Sequence, residues 1–176
     1  MKFRCGCFNL YLTALVAIAL VGCETTGSDS DKNAASELST LRIHLETHPD
    51  PITGSSTQIR VGREDPVLLH VSGAMIGEIN LLAAEVWDGN EGQYAIHLQF
   101  DREGTQTLEA LSMSYRGKRL AIQSQFPAPR WIGLVRMNQR ISDGSLLFRP
   151  DATRQECVRI VSGLNKAVAK MRKLKD

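Results

Sequence analysis

The chain has 176 residues, 43% of them hydrophobic and 23% charged, and its 21 Lys+Arg against 19 Asp+Glu leave a net charge of +2. Lys2 and Arg4 fall in the first 22 residues, which hold no acid, so residues 23–176 carry 19 charges of each sign. That balance, with no long basic run interleaved with aromatics, excludes the electrostatic footprint of a nucleic-acid-binding protein.

The first element is a basic start at Lys2 and Arg4, followed by the apolar run LYLTALVAIALV at 10–21. A membrane-spanning helix needs about 20 such residues; this shorter run suits the core of a secretion signal. It closes on Leu20-Val21-Gly22-Cys23. An aliphatic residue three positions before a cysteine, and a small one just before it, resemble the lipobox of bacterial lipoproteins. The resemblance implies cleavage between Gly22 and Cys23 and attachment of fatty acyl chains at Cys23. Each buried methylene contributes about 0.8 kcal/mol, so several chains on one cysteine would anchor the protein to a membrane, facing the periplasm. Glu24 stands where an inner-membrane retention signal is often aspartate, which favours the outer membrane. Cys5 and Cys7 leave with residues 1–22 and Cys23 takes the lipid, so Cys157 is the one remaining thiol and no internal disulfide is expected.

Residues 23–39 comprise the lipidated cysteine and a stretch rich in Ser, Thr, Gly, Asp and Asn without apolar periodicity, which reads as a flexible linker. Its coil reach is on the order of 20 Å. Residues 40–176 have the length of one domain. Alternation at 41–46 predicts a half-buried strand, and 57–61 and 66–71 two more. Segments 80–87 and 93–100 flank Asp88-Gly89-Asn90-Glu91-Gly92, a hairpin signal. Residues 102–115 read as a helix with Leu108, Leu111 and Tyr115 on one face, Asp101 as its cap and Gly117 at its end. A strand is expected at 118–124, a loop at 125–130 around Pro127 and Pro129, and two strands at 133–141 and 145–148 about the turn Ser142-Asp143-Gly144. The last helix, after Pro150-Asp151, places Cys157, Ile160, Val161, Leu164, Val168 and Met171 on one stripe. Thr153 and Glu156 have capping-box spacing, and Lys170, Arg172, Lys173 and Lys175 gather at its end, where cations complement the helix dipole. The expected fold is α+β, a mainly antiparallel sheet with two helices on one face.

The region from Asn80 to Leu164 resembles the periplasmic head domain of the SecD/SecDF protein-translocation subunit. The matching residues stand in order: Phe100-Asp101-Arg102-Glu103-Gly104 with Leu108, Gly117-Lys118-Arg119-Leu120-Ala121-Ile122, Ala128-Pro129, Ile141-Ser142-Asp143-Gly144, and Pro150-Asp151-Ala152-Thr153 onward. The resemblance implies an α+β domain without catalysis of its own that assists polypeptide export, with translocase subunits or exported polypeptides as partners. Two features depart from that family. The multiple membrane spans of the translocase are absent, and Gln123-Ser124-Gln125 stand where an acidic residue is common.

Catalytic signatures are missing: no G-x-S-x-G elbow, P-loop, H-E-x-x-H or C-x-x-C occurs. His44 and His48 are four apart on a strand, roughly 13 Å, too far to share a metal. His70 reads as a hydrogen-bonded, partly buried residue, and His97 as one facing solvent or the second layer. The pairs Asp101 and Glu103, and Glu64 and Asp65, read as capping and surface charge. No metal or cofactor is expected. Phe126, Arg130 and Trp131 are the candidate partner-binding loop, because aromatics and arginine are favoured in binding hot spots; core closure beneath the loop is the competing role for the two aromatics, and Trp87 carries the same ambiguity. The alternative function is a small envelope hydrolase or ligand-binding lipoprotein with a site assembled from residues distant in sequence.

Overall fold

The structure, a computed structural model, describes residues 38–50, 52, 54–125 and 128–174. The signal, Cys23 and almost all of the expected linker lie outside the described residues. Among the described residues, eight strands, β1 (Thr40–Thr47), β2 (Thr57–Val61), β3 (Val67–Gly77), β4 (Leu81–Asp88), β5 (Tyr94–Phe100), β6 (Arg119–Gln125), β7 (Pro129–Arg136) and β8 (Ser145–Phe148), accompany two α-helices, α1 (Arg102–Ser114) and α2 (Arg154–Lys173).

The fold is α+β and its strand pairs are antiparallel, but the strands divide into two sheets: β2-β3-β1-β6-β7 and β4-β5-β8. Alternation explains the layering. Leu41, Ile43 and Leu45 of β1 point to a core shared with Leu120 and Ile122 of β6, while Ile96, Leu98 and Phe100 of β5 enter it from the other sheet. Leu108 and Leu111 of α1, and Cys157, Ile160 and Leu164 of α2, complete that core. The opposite face of the five-stranded sheet holds a second apolar cluster of Ile59, Val61, Leu69, Val71 and Ala121, against which Trp131 and Leu134 pack.

Both helices begin as their sequences dictate. Asp101 accepts a hydrogen bond from Gly104 N at 2.8 Å, capping α1. Thr153 Oγ1 accepts from Glu156 N at 3.2 Å while Glu156 Oε2 accepts from Thr153 N at 2.7 Å, a reciprocal box opening α2. Gly104 has to be glycine-sized, since a Cβ there would sit 2.9 Å from Asn80 Cβ. Gly117, beyond α1, has φ +85°. Tyr115 departs from the expected stripe: it falls at the C-cap of α1, off the helical register, and is exposed.

The segment 133–141 is not one strand. β7 ends at Arg136, and Met137 adds one more rung, its N–H donating to Lys118 O and its C=O accepting from Gly117 N. Residues 138–144 then cross to the other sheet, passing α1, where Ser112 Oγ accepts from Ile141 N at 2.9 Å. So β7 and β8 lie in different sheets instead of forming a hairpin. β3 also runs past its expected end through Ser72-Gly73-Ala74, with bulges in its pairing to β1.

Candidate functional site

The segment singled out in the sequence around 126–131 is the junction of β6 and β7. Phe126 lies outside the described residues. Gln125 and Pro129 face each other in the ladder, as do Ser124 with Arg130 and Gln123 with Trp131, so 129–131 is strand where a loop was expected. Pro129 is compatible with that place because it is the first residue of an edge strand.

Neighbouring strand residues point to opposite faces, and the structure separates Arg130 from Trp131 accordingly. Arg130 reaches α2: its Nη2 donates to Asp151 O at 2.8 Å and its Nη1 to Glu156 Oε1 at 3.3 Å. The same Oε1 accepts from Arg63 Nη2 at 2.8 Å, so two arginines from the two edge strands' neighbourhoods converge on the first turn of α2. Burial pushes the Glu156 carboxyl up, but the Thr153 N–H and the Arg63 guanidinium outweigh it and hold the group below its ordinary value. Trp131 turns to the second apolar cluster and meets His44 edge-on, with ring centroids 4.9 Å apart at 68°. His44 Nδ1 lies 2.9 Å from Ser72 O, and on the same sheet Arg119 clasps Glu46 through Nε at 3.0 Å and Nη2 at 2.7 Å. That clasp lowers the Glu46 carboxyl below its usual range.

The histidines are dispersed. His48 is exposed beside Lys118 Nζ at 3.2 Å. His97 lies on the outer face of the three-stranded sheet, its Nε2 2.6 Å from Ser145 Oγ and its ring 4.6 Å from that of Trp87. No group of three or more His, Cys, Asp or Glu able to hold a metal occurs among the described residues. Cys157 is buried, and desolvation, with the Glu156 charge beside it, pushes its thiol up to about 11, which suits a packing residue over a nucleophile.

Two further surface features lie away from that segment. A cleft of about 560 Å3 opens between the end of β7 and β8, lined by Arg136, Gln139, Arg140, Asp143 and Leu147 among others; Arg140 within it is paired to Glu109 of α1. The outer face of the three-stranded sheet leaves Trp87 and Leu147 each 48% exposed.

The architecture on which these residues sit, two antiparallel sheets with two helices sharing one core, recurs in solved proteins. One is a structure of "a membrane component SecDF that enhances protein export", matched with a TM-score of 0.58 at 17% identity over 83% of this chain and 70% of that one. Another is a crystal structure of SecDF in a super-membrane-facing form, with a TM-score of 0.57 at 17% identity over 78% of this chain and 21% of that one, so the chain spans about a fifth of its length. The domain therefore has a SecDF-like fold. No family model matches the sequence, and no curated protein matches it.

Proposed function

We propose that the chain is a lipid-anchored envelope protein whose domain is a non-enzymatic interaction module accessory to protein export. The observation that carries this reading is the SecDF-like fold over 83% of the chain, in a sequence whose Leu20-Val21-Gly22-Cys23 has the form of a lipoprotein processing site. Cleavage before Cys23 and acylation of its thiol hold the domain at a bacterial membrane, facing the periplasm, with the outer membrane favoured by Glu24. Its partners are translocase subunits or exported polypeptides.

The proposed contact segment is the β6–β7 junction. Phe126 makes the contact there, while Arg130 and Trp131, engaged with α2 and with the second apolar cluster, hold its base. A pulse-chase of an exported precursor tests the function. Cells lacking the protein are expected to mature the precursor more slowly, with recovery by the wild type and not by a Cys23→Ala variant. Unchanged maturation in the deletion strain would count against an export role.

A further inference from the structure

α2 ends in Lys170, Arg172 and Lys173, all on exposed positions. The apolar surface around that end is uncovered: Ile79 is 60% exposed, Leu82 42% and Leu174 78%. Ile79 and Leu82 belong to one place, and Leu174 is the C-cap of the helix that borders it. Ile79, Leu82, Met171 and Arg172 line a common shallow depression of about 100 Å3, and Arg172 Nη2 donates to Leu82 O at 3.0 Å. A guanidinium is thus fixed at the rim of the depression, with Lys170 and Lys173 in the same last turn of the helix. Asp101, which also borders the depression, spends its carboxylate on the cap of α1.

Scattered surface leucines need no explanation. Three apolar side chains gathered around a cationic helix end are a different arrangement, and it is the one by which proteins lie on a lipid surface: apolar groups enter the headgroup boundary while cations meet anionic lipid. We infer that this end of the domain rests on an anionic membrane surface, with Ile79, Leu82 and Leu174 as the inserted group and Lys170, Arg172 and Lys173 as the electrostatic contact. The inference rests on the proposed membrane anchor for its biological setting. Ser39, the second of the described residues, packs on Gly163 in the middle of α2. From Gly163 to Leu174 is roughly 16 Å along a helix, and residues 24–37 are long enough for Cys23 to lie in the same membrane that this end touches.

The charge complementarity selects lipid over an apolar protein partner and sets the test. The full chain is incorporated into vesicles of phosphatidylcholine alone or with added phosphatidylglycerol, and amide hydrogen exchange is followed by mass spectrometry. Exchange across 78–82 and 170–174 is expected to slow on the anionic vesicles and to recover in about 1 M salt, where screening extends over only ~3 Å. Each basic residue near such a surface strengthens attraction about fivefold, so a Lys170→Gln/Lys173→Gln variant should lose most of the slowing while the core strands exchange as in the wild type. Equal exchange at both segments on the two lipids, or slowing confined to the Trp87 face, overturns the inference. The mass of the processed N-terminus reports on Cys23 acylation separately, so failure of the anchor and failure of the surface contact are told apart.

Discussion

Asn165 of α2 pairs with the backbone of Ala84 of β4 as a further strand would: Ala84 N donates to its Oδ1 and its Nδ2 donates to Ala84 O, both at 2.9 Å. Arg172 takes Leu82 O on the same edge, and Arg154 pairs with Asp88 at the edge's far end. One helix therefore closes the open side of β4, which as a bare edge would be a template for pairing with another chain.

Replacing Asn165 by alanine leaves both backbone groups of Ala84 without their partner. The expected cost is about 1–2 kcal/mol, read as a lower urea midpoint with an unchanged slope. The variant should also self-associate at high concentration. The exposed neighbour Ser162, changed to alanine, should do neither.

Gly133 of β7 faces Phe148 of β8 across the two sheets, and a Cβ built on it would approach Phe148 Cδ2 to 2.6 Å. Gly133→Ala should therefore destabilise by about 1–3 kcal/mol through overpacking. A Phe148→Leu change in the same chain should recover part of the loss, since the ring is the obstacle. Thermal melts of the single and double variants give the comparison.

Acid should weaken the domain through Glu46 and Glu156. Both carboxyls have folded-state pKa values lowered from the ordinary value, so their stabilisation is complete above the unfolded pKa. It fades as pH falls through the folded value, because protonation then favours the unfolded chain. Urea midpoints measured from neutrality down into the acid range should fall, and Glu46→Gln should flatten part of that slope. At neutral pH the same substitution costs about 1 kcal/mol, the loss of a charge-assisted clasp on Arg119.

Trp131 and Phe126 should separate stability from recognition. Trp131→Ala removes a ring that packs on the second apolar cluster and on His44; it is expected to cost about 2 kcal/mol, below the range for a fully buried aromatic. Phe126→Ala should leave the melting temperature close to wild type and weaken capture of partners. A Phe126 variant as unstable as the Trp131 variant would move that residue into the core.

Much of the element order was legible because period-two and helical stripes survive into the structure. Leu41, Ile43 and Leu45, and Cys157, Ile160 and Leu164, are buried as their spacing requires. The capping residues Asp101 and Thr153 were legible for the same local reason. The division into two sheets was not, since alternation says that a strand hides one face without saying which strand it pairs with. Met137 shows the difficulty: it is apolar and buried like a strand residue, yet it is the last rung before the chain leaves one sheet for the other. Pro127 and Pro129 argue for a loop over 125–130 that would present Arg130 and Trp131 on one surface, whereas a strand beginning at Pro129 sends them to opposite faces. Asn165 and the Arg63–Glu156 pair, 93 residues apart, join elements no local pattern connects.

Whether the SecDF-like domain meets the export machinery or its cargo is decided by crosslinking in living cells. A photoreactive residue placed at Phe126 in the full-length protein, with mass spectrometry of what it captures, should return translocase subunits or polypeptides in transit. Capture of only unrelated envelope proteins, from a chain shown to be folded and processed at Cys23, would rule out a role in export.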